Sequence, residues 1–474
     1  MKKIMPLRHD RKTWLCGTIA EPKKGLASHR GSSSPYCFFF HGTGSAAYTV
    51  EVTHADTYSM KIGYYAASST RLTLECEDQR IIQTLDPVQG YASQMIPMYD
   101  HIMMQNPEDT ESVDIIGTFT LGEGIHDIVI TAETSREFRI YYLEMIPDSA
   151  REAIQAEEAR ALDARTPIEP VASSGYGLFI HWTERTKPRY GKELSYHDAV
   201  DQFDVEAFAD QCRRMGAKYV IFTAEHVSMF FPAPIASWLK YHPGDYTTKR
   251  DLIAELIDAL GKRDIQLWMY LHIPMMANYP PVYKDEFNFT NEELRSVADQ
   301  DEMCNRVCEM LTEIGARYGE GIKGYWLDGW HLAILKYGID PTERVYAATK
   351  VGNPNRCTSF AFGVRCPTFT PWQDYACGET RVIGALPVDG KYARGQNKGY
   401  LYHSIIVLDD DWWHDYYDSP IAPPQYTADQ LAPYLRGCMD NGGLVSINTA
   451  VYQDGSVGME TLRVMEQTKR WVYR

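Results

Sequence analysis

Four apolar runs in the second half of the chain each end on side chains that can do chemistry. GYGLFIHW (175–182) ends in His181 and Trp182, and KYVIFTAEH (218–226) ends in Glu225 and His226. IQLWMYLH (265–272) carries Tyr270 and His272 at its end, and GYWLDGW (324–330) carries Asp328, followed by Gly329, Trp330 and His331. A carboxylate closing an apolar run is costly to bury unless it has partners or a task. A carboxylate with a second acid is the minimal kit for cleaving a glycosidic bond. In that chemistry His181, Glu225, His226 and His272 would bind sugar hydroxyls. Trp182, Tyr270 and Trp330 would pack on a sugar's apolar face. Taken singly, each histidine reads as a satisfied core or rim side chain; taken as a set, they read as one site.

The elements that must position these groups follow from periodicity. The four runs are apolar without alternation, as in strands buried on both faces. RCTSFAFG (356–363), LYHSIIVL (401–408) and GGLVSINTA (442–450) read as further strands. Between them lie helices with apolar stripes at helical spacing. VEAFADQCRRMGA (205–217) carries Phe208, Cys212 and Met215, and TTKRDLIAELIDALGKR (247–263) starts on Thr caps. Residues 291–318 form a long helix with Met303, Val307, Met310, Leu311 and Ile314 on one stripe. Seven strands alternating with helices over 300 residues predict a (β/α)8 TIM-like barrel rather than an open sheet. Barrel enzymes carry their working groups at the C-terminal ends of strands, where these residues lie.

A barrel of this kind also admits a metallohydrolase, with His181, His226, His272 and Asp328 as ligands. Such barrels usually show an HxH pair on the first strand, and this strand has one histidine. No metal and no cofactor is expected.

The first 150 residues differ in character. YSMKIGYYA (58–66), RLTLECE (71–77), GTFTLGEGIHDIVITAE (117–133) and REFRIYYLEMI (136–146) are short alternating runs separated by turn signals. They predict an all-β sandwich of jelly-roll type, carbohydrate-binding or accessory. SAREAIQAEEARALDAR (149–165) is a linking helix, and TPIEPVASSG (166–175) marks a boundary. The chain is thus read as multidomain: a sandwich over 1–148, a linker over 149–170 and a catalytic barrel over 171–474.

The net charge of −16 argues against nucleic acid or an anionic membrane surface as partner. No apolar stretch is long enough to span a bilayer, and no signal peptide is visible. The expected location is cytoplasmic, or periplasmic or secreted if a signal has been removed. Ten cysteines without a CxxC fit a reducing compartment. Cys304 and Cys308, one helical turn apart, read as buried thiols. The oligomeric state is not legible.

Collinear motifs over 175–474 resemble glycoside hydrolase family 29, the α-L-fucosidases. GYGLFIHW is similar to that family's first-strand motif, and FDVEAFADQCRRMGAKYVIFTAEH to the unit ending in TAKHHDGF. TTKRDLIAELIDAL resembles its KRDLVKEL helix, and GIKGYWLDGW its DGLWFDG strand. NGGLVSINTAVYQDGSVGMETLRVMEQTKRWV resembles the closing GGNLLLNIGPDADG segment and final helix. The resemblance implies a retaining exo-glycosidase acting on a terminal α-L-fucoside or a related L-sugar of an oligosaccharide or glycoconjugate. It implies Asp328 as nucleophile and His181 and His226 as sugar ligands. The acid/base is expected in TPWQDYACGET (370–380), with Glu379 first, Asp374 second and the run Asp409–Asp411 third. Departures are Val227 where the family has a second histidine, and Glu225 where it has lysine. A Glu-Trp pair after the first strand is also missing, with Glu184 a substitute. The competing reading is a non-catalytic carbohydrate-binding protein on an enzyme fold.

Overall fold

A computed structural model describes all residues except 1, 30–37, 88–92, 97–100, 105–111, 227, 280–296, 331–333, 335, 362–369, 385–387, 392–398 and 411. The seven apolar runs of the C-terminal region, with the segment Ala376–Arg381, form eight strands. They are β1 (Gly177–Ile180), β2 (Tyr219–Glu225), β3 (Gln266–His272), β4 (Ile322–Asp328), β5 (Cys357–Phe360), β6 (Ala376–Arg381), β7 (Tyr402–Val407) and β8 (Leu444–Asn448). Every ladder between them is parallel, in the order β5-β4-β3-β2-β1-β8-β7-β6. The seam between β5 and β6 is joined by other bonds. Asp374 N–H donates to Thr358 O at 2.8 Å, and Ser359 Oγ donates to Tyr375 O at 2.7 Å. The result is the barrel-like parallel sheet that the strand–helix alternation predicts.

Side chains sort by strand pleat. Phe179, Ile221, Trp268, Tyr270, Trp326 and Ile405 point inward and fill the barrel. Their neighbours Leu178, Ile180, Val220, Phe222, Leu267 and Met269 point outward under the helices. Burial on both faces is why these strands read as unbroken apolar runs. Local caps set the helices. Asp204 accepts from Ala207 N–H at the start of Val205–Met215, and Gly216 ends that helix at φ 90°. The helix Leu252–Gly261 starts from Asp251, which accepts from Ala254 N–H. The expected Thr caps are not used, because Thr248 Oγ1 donates to Arg250 O instead. The long helix runs over Ala298–Tyr318, and the expected first turns, 291–296, lie outside the described residues. Cys304 is buried and Cys308 half-buried.

The N-terminal region is a ten-stranded sheet, antiparallel except where Ile4–Leu7 pairs in parallel with Thr49–Val52. The ends of its main path meet: the Gln79 amide bonds both backbone groups of Thr120, at 2.7 and 2.9 Å. The sheet therefore wraps its own core, which includes Phe40, Tyr48, Ile62, Leu74, Ile130 and Phe138. Its other face meets the barrel. Trp14, Tyr65 and Tyr142 share a cluster with barrel-layer residues, and Trp14 N–H donates to Gly338 O at 2.8 Å.

The helix Arg151–Asp163 follows, as the Ala/Glu/Arg composition predicts. The next stretch is no loose linker. A short helix, Glu169–Ser174, sends Ala172, with Ile168 just before it, into the inner barrel cluster as its floor.

Candidate active site

Asp328 is the last residue of β4, and both its oxygens are held. The Tyr270 hydroxyl donates to Oδ2 at 2.6 Å, and the N–H of Gly329 donates to Oδ1 at 2.7 Å. Gly329 sits at φ 73°, a conformation that lets the chain turn back so its own N–H reaches the carboxylate. Tyr270 comes from β3, whose ladder sets Tyr270 opposite Trp326 and His272 opposite Asp328. The carboxylate faces a cavity of about 180 Å³.

A second carboxyl group, Glu379, lines the same cavity. It lies in a β-bulge of β6, where the register against β7 shifts between Gly378 and Arg381. Bulges re-aim a side chain in this way. Burial, followed by the charge of Asp328 and then of Glu379, holds the Tyr270 phenol well above its ordinary pKa. Tyr270 is therefore a permanent donor lying in the field of both carboxyl groups.

His181 and His226 form one wall, their ring centroids 5.5 Å apart. Burial pushes His181 down to about 3, with Asn448 opposing, so the ring is neutral. Its tautomer follows from its neighbours. Asn448 Nδ2 donates to Trp412 O at 3.1 Å, which turns Asn448 Oδ1 toward His181 Nδ1 at 3.2 Å. Nδ1 must then carry the hydrogen, leaving Nε2 as an acceptor. His226 is likewise held well below its ordinary value, by burial and then by its neighbours His181 and His272. Trp412 and Trp413, just past β7, complete the wall, and Phe179, Trp326 and Ile405 line the cavity from within the barrel.

The remaining expected site residues fall elsewhere. Trp182 is a correction: it is 1% exposed, packs on Tyr196 and Phe203, and donates Nε1–H to Gln453 O at 3.0 Å. Trp330 is another, fully buried against Phe360 with Nε1–H on Thr342 Oγ1 at 2.7 Å. Both stand two residues past a strand end, where the chain has already turned away from the mouth. Glu225 and His272 sit behind the cavity wall rather than on it. Glu225 Oε2 accepts the His272 N–H at 3.2 Å, and His272 stands 5.7 Å from His226, centroid to centroid. Burial raises Glu225 to about 8, against backbone N–H groups that favour its anion, with Glu184 adding to the rise. His331 lies outside the described residues.

The alternatives for the second carboxyl group are occupied. Asp374 accepts Thr166 N–H and the Tyr346 hydroxyl on Oδ1, and Lys350 and Thr358 N–H on Oδ2. It staples the helix layer to the β5–β6 seam. Asp409 accepts Ala450 N–H and the Thr461 hydroxyl, and Asp410 binds His414 and Ala422 N–H. Asp411 lies outside the described residues. Among the described residues, no group of three or more His, Cys, Asp or Glu is arranged to hold a metal ion. Among them too, no helix is long and apolar enough to cross a membrane.

Sequence reasoning missed Trp412, Trp413 and Asn448. The first two were within reach, because the rule used for the first four strands also applies to LYHSIIVLDDDWW. It also missed β6 as a strand. ACGETR has no apolar run and a single β-branched residue, Thr380, and its ladder is with β7.

Set against known proteins, residues 171–474 match the family model described as alpha-L-fucosidase. A tissue alpha-L-fucosidase of Rattus norvegicus is 29% identical over 140 residues, covering 23% of this chain and 30% of that protein. A putative alpha-L-fucosidase of Caenorhabditis elegans is 26% identical over 216 residues, covering 39% of this chain and 44% of that protein. The matched region thus spans less than half the length of these curated relatives. A solved alpha-L-fucosidase from Bacteroides thetaiotaomicron aligns at a TM-score of 0.48 and 17% identity, covering 65% of this chain and 73% of that one.

Proposed function

The chain belongs to the alpha-L-fucosidase family, and from that premise we propose that it is a retaining exo-glycosidase that releases a terminal α-L-fucose, or a related L-sugar, from an oligosaccharide or glycoconjugate. Asp328 is the nucleophile and Glu379 the acid/base. The observation that carries the reading is the pair itself: two carboxyl groups, from β4 and β6, on one small cavity with Tyr270 between them in charge.

In the first step an oxygen of Asp328 attacks the anomeric carbon while the bond to the leaving oxygen breaks. Glu379 delivers its proton to that oxygen. In the second step Glu379, now a carboxylate, takes a proton from water. The water oxygen displaces Asp328 from the anomeric carbon, so the configuration is inverted twice and retained. The hydrogen bonds from Tyr270 and Gly329 keep the nucleophile oriented. Neutral His181 and His226 accept from or donate to sugar hydroxyls without adding charge next to the oxocarbenium-like transition state. Val227 and Glu225 depart from the family's sequence pattern, which is why the reading extends to a substituted fucose or a related L-sugar.

Residues 171–474 are the catalytic unit in this reading. Residues 1–148 are an accessory or carbohydrate-binding unit joined through 149–170. The test is hydrolysis of an aryl α-L-fucoside by wild type and by Asp328→Asn. Turnover is expected for wild type and a fall of roughly 10⁴-fold or more for the variant, the scale on which losing a catalytic nucleophile registers. Azide added to the variant should restore turnover as a glycosyl azide. Equal activity of the two proteins would remove Asp328 from the role.

A further inference from the structure

A second cavity, of about 960 Å³, shares none of its described lining residues with the cavity at Asp328. It lies between the N-terminal sheet and the barrel, and its size and its place between two units are those at which ligand sites form. Residues of three parts of the fold line it. They come from segment 8–14 and the strand Phe138–Pro147 of the sheet, from the helix Arg151–Asp163, and from barrel segments 297–301, 339–347 and 370–371.

Six basic and seven acidic side chains line this cavity, so it carries little net charge. Four of the six basic ones are already matched. Arg11 pairs with Asp10 at 2.8 Å, and Arg344 with Asp301 at 2.6 Å. Lys12 pairs with Glu158 at 2.5 Å and with Glu144 at 3.3 Å, and Lys61 stands 3.9 Å from Glu144. Arg8 is different. Among the described residues its Nε and Nη2 are buried with no hydrogen-bond partner. Asp10, whose charge favours the Arg8 cation, bonds to Arg11 instead.

Nε and Nη2 form one edge of the planar guanidinium, spaced to take two oxygens of a carboxylate or phosphate. Arg250 shows that edge matched, with Nε donating to Glu255 Oε1 at 2.9 Å and Nη2 to Oε2 at 2.6 Å. Arg8 has the same edge and no such partner. Burial holds its guanidinium below the ordinary pKa, so the surroundings resist the cation that the edge must carry. A buried donor pair on a charged group is costly to leave unmatched, and an oxyanion removes that cost.

The cavity is larger than a bare oxyanion needs. Asp340 Oδ2 and Arg165 Nε, from two more of its lining residues, are also buried without a hydrogen-bond partner among the described residues. The Arg165 guanidinium is fixed over the Tyr400 ring, 3.8 Å from its centre. One open acceptor and one open donor match hydroxyl groups, which both give and take hydrogen bonds. Water can satisfy either atom, but it brings no charge to Arg8.

We propose that the cleft between the N-terminal sheet and the barrel is a second binding site, for an anionic sugar whose carboxylate or phosphate sits on the Nε–Nη2 edge of Arg8 and whose hydroxyl groups meet Asp340 and Arg165. The site goes beyond the glycosidase reading and stands or falls without it.

The test is calorimetry on the full chain with four probes: D-glucuronate, glucose 6-phosphate, D-glucose and inorganic phosphate. Glucuronate or glucose 6-phosphate should bind, and the tighter of the two identifies the oxyanion. D-Glucose and inorganic phosphate should each bind about tenfold more weakly or worse, the weight of a charge-assisted hydrogen bond. Arg8→Gln should lose about tenfold or more in affinity for the anionic sugar. Arg8→Lys, which keeps the charge but not the fork, should lose most of that as well. Because the Arg8 edge makes no bond within the chain, both variants should melt, without ligand, no lower than wild type. Asp328→Asn should bind the anionic sugar as wild type does. The proposal is overturned if no probe binds, or if D-glucose or inorganic phosphate binds as tightly as the anionic sugars. Undiminished binding by both Arg8 variants, or loss of binding in Asp328→Asn, would overturn it equally.

Discussion

Strands β3 and β4 meet the cavity in register, Tyr270 opposite Trp326 and His272 opposite Asp328, whereas β6 opens a bulge at Glu379 and β7 sends Trp412 and Trp413 from beyond its end. In the first half of the mouth Tyr270 and Asp328 are ladder positions, with His181 and His226 following directly on the ends of β1 and β2. The second half is built from departures. In the proposed roles this division makes physical sense. The nucleophile must sit at one distance from one carbon, and two hydrogen bonds hold it there. The acid/base must exchange protons with a leaving oxygen and then with a water, and a bulge lets its side chain leave the pleat direction.

The sharpest way to break this comparison is to remove the second carboxyl group. Glu379→Gln should lower kcat/KM for an oligosaccharide by about 10²- to 10⁴-fold, the usual weight of a general acid/base. The loss should be smaller for an aryl fucoside whose leaving group needs no proton. Equal losses on both substrates, measured side by side, would take Glu379 out of that role.

A smaller effect is expected from Asn448, which positions His181 without lining the cavity. In Asn448→Ala the His181 ring loses the acceptor that fixes its tautomer. A fall in kcat/KM of about tenfold is expected, the worth of one well-placed hydrogen bond. Most of it should appear in KM, since sugar binding rather than bond breaking is disturbed. A variant with wild-type KM would show that the tautomer is held by something else.

Trp182 and Trp330 test the opposite claim, that proximity to a strand end is not membership of the site. Trp182→Phe and Trp330→Phe should each cost about 1–3 kcal/mol of stability through a lost buried hydrogen bond and looser packing. Thermal unfolding should show this while kcat/KM stays near the wild-type value. A large loss of activity at undiminished stability would return either indole to the site.

The smallest effect is a slope. Burial raises Glu225 to about 8 from an ordinary 4.5, so over that interval the folded chain holds a proton that the unfolded chain has released. The stability this contributes is whole below about 4.5 and is lost as pH rises through about 8. Asp340 and Asp409, raised by burial to about 7, act in the same sense at lower pH. His181 and His403, lowered by burial to about 3, act in the opposite sense and are spent above their ordinary 6.5. Between pH 7 and 9 the melting temperature of wild type should therefore fall, and that of Glu225→Gln should fall less. Parallel curves would mean that Glu225 is already ionised at neutral pH.

These contrasts also mark what the sequence made legible. Asp328, His181 and His226 each close or follow a buried strand, and Tyr270 lies inside one, whose apolar run is visible without knowing its partners. Glu379 was reachable only through the family resemblance, because ACGETR is a strand by virtue of β7 beside it and not of its own composition. Trp182 and Trp330 looked like site residues because the sequence shows that a strand ends but not which way the chain then turns. Asp374 looked like a candidate acid because a sequence does not show partners brought from 166, 346 and 350. The N-terminal sheet was legible as alternating strands, while the meeting of its two ends through Gln79 was not.

The helix Glu169–Ser174 carries a consequence for anyone dividing this gene. Family similarity begins at residue 171, yet Ile168 belongs to the inner cluster and Thr166 N–H is bonded to Asp374 at 2.8 Å. A fragment cut where the similarity starts would be an uncorked vessel, with water admitted at the base and a buried carboxylate short of a partner. The heritable unit recognised across relatives and the unit able to stand alone differ by at least these few residues.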